Sequence, residues 1–414
     1  VSLSFEEKLK MYAKIIVAHG LNIQKDQVLG ISGEIIHRDL AMAVAEEAYK
    51  KGAKYVSVNL SDPRLERIRI LRSPAEHLHY LPGYTEAMIK EIVDENSARL
   101  YIDGTDDPET FVGLDPKTVS GMQQARRKAW KYYYDAGIGE AKVHWCIVAG
   151  ATTSWAKNLF PDMSPAAAYN KLWDNIFKIA RADMPDALER VAEHDRMLHV
   201  RTKKLNSLKV RTLHFTGKGT DLTVVLSEKA RFAGGSSKSA LGVNFEPNIP
   251  SEEVFTSPDC RLTSGYATVT RPILVNGTLV SGLRLEFDRG ALVNFTCKKG
   301  QETFAEYLSG DLRSRWLGEV ALVGIDSPVF QSGIVFEEIL YDENAACHIA
   351  IGSGFKFCID GNKSMTETEL AAIGFNDANS HLDMMISDET TDVVATLADG
   401  SKITLIKKGE WQEF

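Results

Sequence analysis

No C-x-x-C pair occurs among the five cysteines, Cys146, Cys260, Cys297, Cys347 and Cys358, which removes the usual frame of a structural zinc ribbon. Most sit among apolar neighbours, as in His144-Trp145-Cys146-Ile147-Val148, and read as reduced core thiols rather than a disulfide framework. Positive charge is short as well. Lys plus Arg number 48 against 56 Asp plus Glu, and a net charge of −8 excludes the broad basic face that phosphate backbones require. No apolar run reaches bilayer-crossing length. Val1-Ser2-Leu3-Ser4-Phe5-Glu6-Glu7-Lys8 lacks the basic and apolar regions of a secretory signal. A cytoplasmic protein with no nucleic-acid and no membrane partner is the expectation.

What is present is an alternation of helical and strand patterns. Leu9, Tyr12, Ile15 and Ile16 fall at helical spacing within 5–19, and the stretch 27–32 reads as a strand. A helix over 38–51 and a second strand over 54–60 complete a βαβ unit, whose natural product is a parallel sheet. The pattern recurs as strand 99–103, helix 115–136 and strand 142–149. After the first strand the chain reads Gly30-Ile31-Ser32-Gly33-Glu34, without the dinucleotide glycine fingerprint, so a nicotinamide enzyme is rejected. Beyond 209 the texture changes to β-branched strands at 222–226, 265–270, 278–283 and 291–296, with Asn276-Gly277 as a hairpin signal. The fold class expected is α/β. An N-terminal parallel-sheet α/β domain spans 1–200, and a C-terminal α+β domain with a mixed, barrel-like sheet spans 201–414.

Hydrolysis of a peptide bond near neutral pH needs an activated water and a stabiliser for the tetrahedral intermediate. Two divalent ions about 3.5–4 Å apart supply both, and they call for carboxylates and neutral imidazoles. The C-terminal half holds three of the ten histidines, His214, His348 and His381. In a strand, His381 and Asp383 point to one face and could grip an ion together. His348 lies among small residues before Gly352, Glu319 heads an apolar strand, and Glu253 lies between Pro250 and Pro258. Each also has a plain structural reading: an edge-strand pair, a hydrogen-bonded core histidine, an exposed strand start, an ordinary turn. His77-Leu78-His79, between Pro74 and Pro82, reads as surface. Spacing alone leaves the two readings open.

The local strings are more specific. They are Asn248-Ile249-Pro250-Ser251-Glu252-Glu253-Val254-Phe255-Thr256-Ser257-Pro258-Asp259, Leu317-Gly318-Glu319-Val320-Ala321-Leu322-Val323, Tyr341-Asp342-Glu343-Asn344-Ala345-Ala346-Cys347-His348-Ile349-Ala350-Ile351-Gly352 and Asn379-Ser380-His381-Leu382-Asp383-Met384-Met385-Ile386. In this order they resemble the M29 metallopeptidases, the aminopeptidase S and aminopeptidase T group. The resemblance implies a metal-dependent aminopeptidase whose metal ligands are Glu253, Glu319, His348, His381 and Asp383. It further implies two divalent ions (zinc, cobalt or manganese), short peptides as substrates, and a homodimer enclosing its active sites. Glu319 or Glu253 is the expected proton acceptor. One position departs from the family pattern: the tyrosine expected seven residues after the metal-binding histidine is Phe355. Tyr341 is the candidate to replace its hydroxyl as a donor to the oxyanion. The alternatives are a metal-dependent amidase or dipeptidase, and an M29-like peptide-binding protein with weak or no turnover.

Overall fold

A computed structural model describes residues 3–107 and 110–414. Contacts group the chain into two compact units, Val1–Glu193 with Ser236–Pro250 and His194–Gly235 with Ser251–Phe414.

The first unit is built on a parallel sheet of β1 (Val28–Glu34), β2 (Tyr55–Ser61), β3 (Ala98–Asp103), β4 (His144–Ala149) and β5 (Asn248–Ile249), in the order β2-β1-β3-β4-β5. β5 lies far along the chain from the other four, yet it joins β4 in parallel register, Ile147 opposite Asn248 and Val148 opposite Ile249. Helices precede and connect the strands. Phe5–Ile15 is started by a capping box in which Ser4 and Glu7 satisfy each other's backbone N–H groups, and it buries Tyr12, Ala13 and Ile15. Arg38–Lys50 connects β1 to β2 and buries Leu40, Ala41, Val44 and Ala48. Among the described residues no helix is long and apolar enough to cross a membrane.

The second unit is made of antiparallel sheets. The larger has eight strands, in the order Ala291–Thr296, Arg284–Asp288, Ser264–Thr268, Thr220–Val225, Val210–Gly217, Asp392–Leu397, Lys402–Lys407 and Glu410–Trp411. Two-residue turns close several hairpins of the unit. Asn276-Gly277, Arg289-Gly290 and Lys408-Gly409 all have positive φ at both positions, the geometry that matches strand twist. The second sheet has four strands, β6 (Val254–Thr256), β7 (Leu317–Leu322), β8 (His348–Gly352) and β9 (His381–Met385), paired in that order. One face of it is apolar. Val320, Leu322, Ile349, Ile351 and Met384 join Leu213, Phe215, Leu222 and Val224 of the larger sheet in one core. The opposite face carries the chemistry.

Candidate metal centre

Register decides which side chains meet. Glu319 pairs with Ala350, and Ala350 with Asp383, so the two carboxylates flank a single methyl group across three strands. His348 lies two residues before Ala350 and His381 two before Asp383, which places both imidazoles on that face. Glu253 immediately precedes β6, where Phe255 pairs with Ala321 and Ala321 with His348. Five chemically active side chains from four strands thus share a surface floored by Ala321, Ala350 and Gly352.

Close backbone approach fixes the strands that carry them. A β-carbon on Gly318 would stand 2.3 Å from the Ser353 carbonyl, and one on Gly352, at φ +106, would stand 2.1 Å from the Ser380 oxygen. The register slips between Leu317 and Glu319, a bulge that aims Glu319 onto this face.

The ligand atoms converge. His348 Nε2 lies 3.1 Å from Glu253 Oε2, and His381 Nε2 lies 3.2 Å from both Glu319 Oε2 and Asp383 Oδ1. Two groups have donor atoms within 4.8 Å of one another, Glu253–Glu319–His348 and Glu319–His381–Asp383. Glu319 belongs to both. His348 Nδ1 meets the Ala346 carbonyl at 3.1 Å and His381 Nδ1 the Ser353 carbonyl at 2.8 Å. Each Nδ1 therefore donates to backbone, leaving Nε2 as the atom that faces the carboxylates and that would bind a cation once deprotonated. That is the arrangement a metal-binding imidazole needs.

Electrostatics agree with a cation site. Glu319, His348 and Asp383 are buried, while His381 is partly exposed at the edge. Burial pushes the Glu319 carboxyl up, Glu253 and Asp383 add to the shift, and His381 opposes it. Burial would lower the pKa of His348, but Glu253, Glu319 and Asp383 raise it well above the ordinary range. For His381 burial works the same way, and Asp383 and Glu319 overcome it. Burial would raise Asp383, yet His381 and His348 hold it low. Three carboxylates facing two imidazoles form a surplus of buried negative charge, which divalent cations would neutralise. Glu253 Oε2 is moreover buried without an aligned hydrogen bond. The residues present fit a divalent metal.

Other residues of the sequence strings fall into place around this centre. The Phe355 ring lies 5.2 Å from the His381 ring at a tilt of 50°, and packs on Phe255 and Phe357. Tyr341 is fully buried in the short helix Ile339–Asp342, its ring 4.8 Å from that of Phe336. His214 lies apart on the larger sheet and pairs with Asp221, and His77 and His79 are exposed. Three neighbours of the centre escape sequence reasoning. Burial pushes the Glu343 carboxyl well above the usual range, Asp383, Glu253 and Glu319 push it further, and His348 opposes them. The Tyr307 hydroxyl, from helix Gln301–Gly310, is buried beside Ser380, and burial raises its pKa. Cys358 is buried within the field of Glu319 and Glu253. Only the position of Glu343 inside a quoted string could have drawn attention to it.

An antiparallel sheet with a carboxylate–imidazole cluster on one face and a parallel α/β unit before it define a metal-dependent enzyme of the α/β class. The family described as thermophilic metalloprotease (M29) matches residues 5–411, and the chain belongs to it. It is 35% identical to aminopeptidase AmpS of Bacillus subtilis (strain 168) over 408 residues, 99% of each chain. Against aminopeptidase T of Thermus aquaticus identity is 36% over 408 residues, again 99% of each. The solved structure of wild-type AmpT from Thermus thermophilus superposes with a TM-score of 0.91 at 34% identity, covering 99% of this chain and all of that one.

Proposed function

We propose that this chain is a metal-dependent aminopeptidase that releases the N-terminal residue of short peptides, using two divalent ions held by Glu253, Glu319, His348, His381 and Asp383. The observation that carries the reading is the membership of Glu319 in both donor groups, because one carboxylate has two oxygens to offer two ions. The names of the relatives, aminopeptidases AmpS and T, support the reaction class. Zinc, cobalt and manganese all suit an oxygen–imidazole donor set. Bound there, such ions lower the pKa of water and polarise the scissile carbonyl.

The chain's own groups do the remaining work. The Ala346 and Ser353 carbonyls fix both imidazoles above a floor of the small residues Ala321, Ala350 and Gly352. A free α-amino group would bind one of the ions or a nearby carboxylate, which favours an exopeptidase over an endopeptidase. The phenylalanine at 355 leaves the chain either slower than its relatives or reliant on another oxyanion donor, for which Tyr341 is the candidate. We also assign residues 1–200 to an N-terminal α/β domain and 201–414 to the catalytic domain, with a cytoplasmic location and a homodimeric state.

The test is product analysis by mass spectrometry after incubating the cobalt- or zinc-loaded protein with a short peptide, free or N-acetylated. Single N-terminal residues should appear from the free peptide and none from the blocked one. Internal cuts, or equal cleavage of the blocked peptide, would refute the proposal.

A further inference from the structure

We propose that Phe255, Phe355 and Phe357 form the wall that receives the side chain of the peptide's first residue, and that this wall selects large apolar N-termini over small ones. The inference rests on the metallo-aminopeptidase reading above and adds the preferred substrate to it.

Two separate segments bring the rings together. Phe255 lies in the middle of β6 and pairs with Ala321, which pairs in turn with His348. The three side chains therefore stand in one row across the metal-bearing face, with Ala321 in the middle. Val254, one residue earlier, joins the core on the opposite face, as strand alternation requires. Phe355 and Phe357 come from the loop after β8. The Phe355 ring is 5.4 Å from that of Phe255 and 5.3 Å from that of Phe357, and Phe255 and Phe357 close the triangle at 6.0 Å. The contact of Phe355 with the His381 ring joins this triangle to the centre.

The wall is built in advance. The Phe355 N–H donates to Ser257 Oγ at 3.1 Å, the Cys358 N–H to the Phe355 carbonyl at 2.9 Å, and the Arg231 N–H to the Cys358 carbonyl at 2.8 Å. Phe255 exchanges both backbone hydrogen bonds with Ala233, each 2.8 Å long. Held in this way, the rings need little ordering when a substrate arrives. None of the three belongs to the core that joins the two sheets. Phe357 is 55% exposed, and Phe255 and Phe355 are half-buried. A lone exposed phenylalanine is ordinary, but three in mutual contact beside buried carboxylates mark a binding surface.

Position identifies the occupant. The first side chain of a peptide hangs from the carbon next to the scissile carbonyl, so it falls against whatever borders the ions. Phe355 borders His381. Ring faces reward apolar area removed from water, so preference should rise from glycyl through alanyl to leucyl and phenylalanyl peptides.

The test uses tripeptides ending in two alanines, with glycine, alanine, leucine, phenylalanine or lysine first. Their kcat/KM, the metal content and the melting curve are to be measured for the cobalt-loaded parent, Phe357→Ser, Phe357→Leu and Phe255→Leu. In the parent, the leucyl and phenylalanyl peptides should exceed the alanyl peptide by about tenfold or more. Phe357→Ser should cut the leucyl-to-alanyl ratio by about fivefold at the parent's metal content, and Phe357→Leu should restore part of it. Should Phe357→Ser melt early, Phe255→Leu, which removes a ring but keeps an apolar strand residue, gives the same readout. A parent indifferent to the first residue, a preference for the lysyl peptide, or variants that lower leucyl and alanyl turnover alike would overturn the inference while leaving the aminopeptidase reading intact. A parent with neither metal nor turnover would overturn that reading and this inference with it.

Discussion

Phe355 stands where the family resemblance leads one to expect a tyrosine, and the structure puts its ring 5.2 Å from that of His381. A phenyl ring can wall the site and exclude water, but it cannot donate a hydrogen bond to a developing oxyanion. One lost oxyanion donor commonly costs about 10²–10³ in turnover. Phe355→Tyr is therefore expected to raise kcat at least tenfold on a leucyl peptide, with KM little changed, in steady-state kinetics. Unchanged kcat would reduce position 355 to a packing role. At this scale the five proposed ligands were legible in the sequence because each stands in a long, distinctive local string. Glu343 was not, although it stands in one of them. Its neighbour Asp342 is set by Arg271, 71 positions earlier, and no local pattern encodes such a pairing.

The elements that deliver four of the five proposed ligands are β7, β8 and β9, and their tolerance is small. Gly318, next to Glu319, has the Ser353 backbone where a side chain would begin. Gly318→Ala must push β7 away from the segment after β8 and swing Glu319 off its face. A loss of about 1–3 kcal/mol in stability together with weakened metal uptake is the expected result, read by thermal melting and metal analysis. Gly310→Ala, where an added methyl meets nothing, is the control and should change stability by less than about 0.5 kcal/mol. The long strands and the two crossover helices were legible from period and propensity. β5 was not, because two residues carry no periodicity and their pairing with β4 is set by tertiary packing. The helix Pro63–Arg72 also went unread. It buries no residue, so no core stripe marks it among its arginines.

For the molecule as a whole, the buried negative surplus on the small sheet couples metal binding to folding. Ions that bind the folded state and not the unfolded one add about 2.7 kcal/mol of stability at a concentration 100 times Kd. The parallel α/β arrangement of the first unit and the antiparallel character of the second follow from how each segment alternates in sequence. Convergence of Glu253, Glu319, His348, His381 and Asp383 follows instead from register in the four-stranded sheet, and it is the feature on which the proposed catalysis rests. The most direct measurement is a titration of cobalt(II) into chelator-treated protein, followed by visible absorption. Saturation at two ions per chain, abolished for both by Glu319→Gln, is the predicted result. Saturation at one ion, or a stoichiometry of two that survives Glu319→Gln, would contradict the shared-carboxylate centre.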